Sequence, residues 1–276
     1  TLSIARVEKE TRDAVAITFA VPDALRDAFR YEPGQHLTLK ADIAGRDVRR
    51  SYSICSAKDE GVLRIAIKRA PGGVFSNWAN ESLKAGDTIE VMAPMGHFNV
   101  PLDAAARHHY VGFAAGSGIT PLLSIVASTL AAEPRSHFTL FYGNRASGTV
   151  MFREELAALK DRWLDRFNLV HVLSREAQDI ELLHGRIDRA RADSLLDRWV
   201  PTSSRIEAAA HWLEQRRSAA IGAALATVLG VVFFFQVGLP WMANQVAPVV
   251  PAAMERTITK QAMALIDRLH TDPSKL

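Results

Sequence analysis

The sequence predicts two domains and a tail: an antiparallel β-barrel, an α/β domain on a parallel sheet, then one transmembrane helix followed by an amphipathic helix. Three observations carry this. Apolar residues alternate with period two from Ala14 to about Val100, the texture changes at Tyr110 to strand, glycine loop and helix, and an uncharged run opens at Ser218. The 276 residues leave room for two domains of ordinary size.

Val15, Ile17, Phe19 and Val21 form the first alternating set, followed by Leu37 and Leu39, then Leu63, Ile65 and Ile67, then Ile89 and Val91. A strand turns successive side chains to opposite faces, so this spacing puts one apolar face on a core. Pro33-Gly34, Gly45, Pro71-Gly72-Gly73 and Gly86-Asp87 separate the sets, and short strands punctuated in this way read as an antiparallel barrel or sandwich. This domain is expected over residues 1–104.

Tyr110 to Ala114 reads as a buried strand, Ala115 to Thr120 as a loop, and Pro121 onward as an apolar helix with Thr120 as N-cap and Pro121 at the first helical position. Phe138 to Tyr142 and Phe167 to Ser174 supply two more strands, with a helical stretch from Met151 to Trp163 between them. Strands alternating with helices argue for a parallel sheet covered by helices, expected over residues 105–200. Beyond Val200, Ile206 to Gln215 reads as a helix, within a linker over residues 201–217, where a further buried strand would continue the pattern.

Ser218 to Leu239 is 22 residues without a charge. At 1.5 Å per residue such a helix covers roughly 33 Å, enough for a hydrocarbon core of about 30 Å. A buried core helix is the other reading of the same run. Arg216 and Arg217 precede it and no basic residue follows until Arg256, which places the N-terminal domains on the cytoplasmic side. Gly222, Ala226 and Gly230 recur every four residues and leave one face open to a second copy of the helix, a homodimer contact. In the tail over residues 240–276, Met254, Ile258, Ala262, Leu265 and Leu269 share one face of an amphipathic helix.

The formal charge is +3 and both signs are mixed along the chain, so no nucleic-acid footprint is expected. Cys55 is the only cysteine, which excludes a disulfide framework and four-thiolate ligation of an iron–sulfur cluster. Arg6, Glu8, Lys9 and Glu10 leave no apolar core for a signal peptide at the N-terminus. No metal site is expected: none of the nine histidines opens a His-Glu-x-x-His motif, and His108-His109 reads as a strand-edge pair.

Arg50-Ser51-Tyr52-Ser53 suits a flavin: a guanidinium for the pyrophosphate, a phenol to cover the isoalloxazine, a hydroxyl near the reactive nitrogen. Alone it also fits an ordinary strand with an exposed arginine. Gly72-Gly73-Val74-Phe75-Ser76 precedes a short helix expected near Asn77, where glycines and free N–H groups suit an anion; alone, Pro71-Gly72-Gly73 reads first as a turn. Gly116-Ser117-Gly118-Ile119-Thr120-Pro121 lies between a strand and a helix, the context of a dinucleotide phosphate site, although the full glycine fingerprint is absent. Gly143-Asn144-Arg145 and Ser174-Arg175 offer positive charge and no carboxylate, which favours NADPH over NADH.

In this order, with Pro94-x-Gly96-x-Phe98, Tyr142 ahead of Gly143-Asn144-Arg145, and His184-Gly185-Arg186-Ile187 added, the motifs resemble the ferredoxin–NADP reductase superfamily, nearest the reductase subunits of phenylacetyl-CoA epoxidase systems, over residues 1–200. The resemblance implies an FAD barrel and an NAD(P) domain. Arg50, Tyr52, Ser53, Ile67, Lys68, Gly73, Val74 and Ser76 would hold FAD. Gly116, Gly118, Thr120, Arg145, Ser174 and Arg175 would hold NADPH, with Tyr52, Ser53 and Thr120 beside the hydride path. Members continue with a strand ending in Cys-Gly-Pro and a four-cysteine ferredoxin domain. Their lack here implies a truncated NADP domain, Tyr110 to Ala114 without its neighbour, impaired turnover, and a separate electron acceptor. The tail from about Arg205 resembles the membrane anchor of bacterial zinc metallopeptidases, so a single-pass inner-membrane protein is expected. The alternative is a non-catalytic chimera of a reductase fragment with such an anchor.

Overall fold

The computed structural model describes residues 1–200, 227–229 and 231–241. Six antiparallel strands come first: β1 (Leu2–Thr11), β2 (Ala14–Ala20), β3 (His36–Ile43), β4 (Arg46–Ser53), β5 (Leu63–Lys68) and β6 (Thr88–Val91). They lie in the order β4-β3-β6-β1-β2-β5, and a bridge between Ile54 and Ile65 joins the two edges into a barrel. The alternating residues point inward as expected: Val15, Ile17, Phe19, Leu37, Leu39, Leu63, Ile65, Ile67 and Ile89 are buried in one cluster. β1 escapes the period-two reading because only Leu2 and Ile4 of its ten residues are buried.

Helix α1 (Val74–Glu81) packs against β2, β3, β4 and β5 and closes the barrel with Phe75 and Ala79. It begins at Val74, a turn earlier than the expected start near Asn77, because Gly73 serves as its N-cap. A Cβ on Gly73 would lie 2.5 Å from Ser76 Oγ, so a larger residue there would displace the hydroxyl that accepts from the Ala70 N–H.

The second sheet is parallel, in the order β7-β8-β9, from β7 (His109–Ala115), β8 (His137–Asn144) and β9 (Phe167–Leu173). Among the described residues β7 pairs with β8 alone. Helix α2 (Ile119–Ala132) follows a single 3-10 turn at Gly116–Gly118. The expected capping by Thr120 is corrected here: Gly118 is the N-cap, and Thr120, inside the first turn, donates its hydroxyl to the Ser117 carbonyl at 3.0 Å. Pro121 is thereby the third helical residue, still within the turn whose N–H groups have no partner in the helix, so its missing donor costs nothing. Helix α3 (Arg153–Arg162) lies on the same side, and α4 (Arg189–Trp199), which the sequence reading lacked, covers the opposite face with Leu195 and Trp199 against Phe141.

A second apolar cluster joins the outer wall of the barrel to the parallel sheet. Ala14, Ala16, Cys55 and Ala66, on the outer wall of the barrel, belong to the same apolar cluster as Ile119, Leu122, Leu123 and Val126 of α2. Small side chains on that wall allow α2 to approach closely, and β2 is buried on both faces as a result. Polar ties cross the same seam: Ser124 Oγ donates to the Ser56 carbonyl at 2.7 Å, the Lys58 N–H to Ser128 Oγ at 2.9 Å, and the Phe152 N–H to Glu10 at 2.9 Å. Arg64 and Glu155 pair across it at 2.6 Å.

Residues 227–229 and 231–241 are helical, with a π-helical turn at Phe234–Gly238 and exposed Val228, Phe233, Phe235 and Trp241. Among the described residues no helix is long and apolar enough to cross a membrane. The rest of the expected span at 218–239, the linker helix, the Gly222, Ala226 and Gly230 face and the amphipathic tail lie outside the described residues.

Candidate functional site

The C-terminal ends of a parallel sheet leave backbone groups and loop side chains pointing into one crevice, the usual place for a ligand in such folds. Here that crevice is a cleft of about 530 Å³ between the sheet and the barrel. From the sheet it takes Gly116 and Ser117 after β7, Gly143, Asn144 and Arg145 at the end of β8, and Ser174 after β9. Asp13, Lys68, Arg69 and Pro71 form the barrel side, and Gly185, Arg186 and Ile187 the outer rim.

Lys68, Arg69, Arg145 and Arg186 set four cations against the one carboxylate of Asp13, so the cleft attracts a polyanion. Lys68 Nζ stands 3.8 Å from Asp13, and Arg69 is tied to Glu81 at 2.7 Å. Among the described residues Arg69 Nε is a buried donor with no hydrogen-bond partner. Backbone bonds hold the two arginine loops together: the Ser174 N–H donates to the Asn144 carbonyl at 2.9 Å and the Arg175 N–H to the Arg145 carbonyl at 2.8 Å.

The flavin candidates are grouped around β4 and α1. Tyr52 is half-buried with its ring 5.7 Å from that of Phe75, which joins the Arg-x-Tyr-Ser strand to the Gly-Gly helix. Burial pushes the Tyr52 hydroxyl up to about 12, against the opposing charge of Arg50, so it stays a neutral phenol. Arg50 is exposed, and its Nη1 donates to its neighbour's carbonyl at 2.6 Å, leaving most of the guanidinium to solvent or an anion. Ser53 ends β4 opposite His36. Strand alternation turns it to the face opposite Tyr52. Val74 is exposed at the first turn of α1, and Ser76 Oγ is occupied within the loop, accepting from the Ala70 N–H at 3.1 Å.

Other expected residues fall elsewhere. The Ile67 side chain lies in the barrel core and its carbonyl accepts from Asn80 at 3.0 Å. Of the candidates for the dinucleotide, Gly116, Arg145 and Ser174 line the cleft, whereas Gly118, Thr120 and Arg175 do not; Lys68, expected to hold FAD, lines it as well. Asn144, Arg69, Asp13 and Arg186 are cleft residues outside the expected set. For Asn144 and Arg186 the signal was present in the motifs that contain them; Asp13 and Arg69 flank paired strands, and only the closing of the barrel against the sheet reveals their role.

Two family models match in tandem: the oxidoreductase FAD-binding domain over residues 1–100 and the oxidoreductase NAD-binding domain over residues 113–209. The chain belongs to the ferredoxin-reductase-like superfamily of FAD- and NAD-binding oxidoreductases. This reductase chain is 52% identical over 194 residues to a subunit of the 1,2-phenylacetyl-CoA epoxidase of Escherichia coli, covering 70% of the chain and 54% of the relative. It is 40% identical over 175 residues to the ferredoxin reductase component of 3-ketosteroid-9-alpha-monooxygenase from Rhodococcus rhodochrous, covering 62% of the chain and 48% of the relative. The chain thus spans about half the length of the curated relatives it matches. Among solved structures it is similar to an Amycolatopsis cytochrome P450 reductase, with a TM-score of 0.60 at 27% identity over 74% of the chain and 58% of the other. It is also similar to the FAD/NAD-binding domain of a Vibrio cholerae nitric oxide dioxygenase, with a TM-score of 0.57 at 25% identity over 68% of the chain and 79% of the other.

Proposed function

We propose that the chain is the flavin-reducing part of an electron-transfer oxidoreductase, accepting hydride from NADPH and passing electrons to a separate acceptor. The observation that carries this is the cationic cleft: four basic side chains where the barrel faces the ends of β7, β8 and β9. FAD, when bound, supplies a two-electron acceptor able to release electrons singly. Arg50 and the α1 N-terminus would hold its diphosphate, and Tyr52 would cover the ring. Lys68, Arg145 and Ser174, joined by Asn144, would hold NADPH, with Arg145 and Ser174 toward the 2′-phosphate. The protein's task is alignment, and a common core under both domains suits that task because it holds their relative placement.

A separate acceptor accords with the names of the relatives, one a subunit of an epoxidase and the other a reductase component of a monooxygenase. We further propose a tether at a bacterial inner membrane through residues 218–239, supported by their uncharged composition. Carbonate extraction of membranes from producing cells tests the tether: release into the soluble fraction refutes it.

The reductase reading is tested on the full chain supplied with FAD. A yellow protein with about one flavin per chain, bleached by NADPH without oxygen and more slowly by NADH, is the expected result. A folded protein that stays colourless in excess FAD refutes it and supports the non-catalytic alternative.

A further inference from the structure

The peptide that follows β7 is held from beneath by the first residue of the Tyr142-Gly143-Asn144-Arg145 motif. Tyr142 lies in the middle of the sheet and is fully buried. Its hydroxyl donates to the Gly116 carbonyl at 3.0 Å and accepts from the Met151 N–H at 3.3 Å, so one oxygen ties the loop after β7 to the loop after β8. The Gly116 carbonyl also accepts from the Ile119 N–H, but that bond lies inside the same turn and cannot anchor the turn to the sheet.

We propose that Tyr142 is a positioning residue for the pyrophosphate of the nicotinamide dinucleotide, acting through the Gly116–Ser117 peptide. The inference rests on the reading that the cleft takes such a dinucleotide. A trans peptide is planar, with its carbonyl and N–H directed oppositely. Drawing the Gly116 carbonyl down onto Tyr142 therefore aims the Ser117 N–H upward, and Gly116 and Ser117 both line the cleft. The backbone accepts this orientation because Gly116 adopts a φ of +51°, where a side chain is disfavoured, although a Cβ there would meet nothing within 4 Å. An isolated turn would move between peptide orientations, and the phenol selects the one that presents a donor to an anion.

The test uses the full chain loaded with FAD and compares two ligands. NADP⁺ carries the pyrophosphate, while 2′-AMP carries the adenine and 2′-phosphate without it. Tyr142→Phe should weaken NADP⁺ about fivefold, the effect of one net hydrogen bond, while 2′-AMP affinity and flavin content stay unchanged. Gly116→Ala disfavours the same peptide orientation without touching the core and should give the same split, which keeps the proposal testable if the Phe variant fails to accumulate. Unchanged NADP⁺ affinity in both variants, or a parallel loss for 2′-AMP, overturns the role of Tyr142. A wild-type chain that holds FAD and binds neither ligand removes the dinucleotide reading itself, and the proposal with it.

Discussion

The Arg64–Glu155 pair at the seam between barrel and sheet predicts an asymmetric response to substitution. Arg64 Nη2 reaches both Glu155 oxygens, at 2.6 and 2.8 Å, with side-chain exposures of 16% and 29%. Burial holds the Glu155 carboxyl above its usual range even though Arg64 pulls it down. A carboxyl raised by folding contributes stability that is full below its unfolded value and lost as pH rises through its folded value. The charged glutamate is therefore a burden at neutral pH, but Glu155→Gln also leaves the more buried Arg64 without its anion; the amide oxygen can still accept from the guanidinium, so the cost should be well below that of Arg64→Met. Arg64→Met keeps the stem packing and leaves the carboxylate without its cation, a loss of about 3–5 kcal/mol when fully buried and, at this residual exposure, about 2–3 kcal/mol. For a folded unit of this size that is roughly 4–12 °C in Tm. The deficit should shrink as pH falls and Glu155 takes a proton, and the double variant should recover most of it at neutral pH. Urea unfolding followed by circular dichroism at pH 7.5 and pH 5 measures all four proteins. If Glu155→Gln costs as much as Arg64→Met, or if the Arg64→Met deficit is the same at both pH values, the reasoning is wrong.

Three further outcomes are expected. Burial pushes the Cys55 thiol up to about 12, so it should resist a disulfide reagent in the native protein and react as one thiol per chain only in denaturant. Gly34→Ala would place a Cβ 1.8 Å from the Phe98 carbonyl oxygen at a φ of +96°; an insoluble or strongly destabilised chain is expected, and a wild-type Tm would count against the fold around Pro94 to Phe98. Ser174→Asp puts a carboxylate in the cleft and should raise the KM for NADPH about tenfold or more while improving NADH; steady-state kinetics with both cofactors check it, and an unchanged ratio would remove Ser174 from cofactor selection.

The architecture was largely legible because it rests on local rules. Period-two spacing gave the inward faces of β2, β3, β5 and β6, and the strand-loop-helix texture after Tyr110 gave the parallel sheet within a residue or two at most strand ends. β1 was missed because Arg6, Glu8, Lys9 and Glu10 mask its pattern, and it is a strand by virtue of pairing with β2 and β6. α1 starts a few residues before the expected position near Asn77, and the N-cap of α2 is Gly118 in place of Thr120, since glycines begin both helices.

The sequence by itself determined which residue types are available to grip a flavin and a phosphorylated dinucleotide, because motif order and charge survive without any knowledge of packing. Only the tertiary structure decided which of them meet. It sent Ile67 into the core, occupied the Thr120 hydroxyl, and brought Asp13, Lys68 and Arg69 of the barrel against the ends of β7, β8 and β9. The physical reason is the wall formed by Ala14, Ala16, Cys55 and Ala66: side chains this small carry no signal in a linear pattern, yet their size sets how closely α2 can approach, and so where the cleft lies.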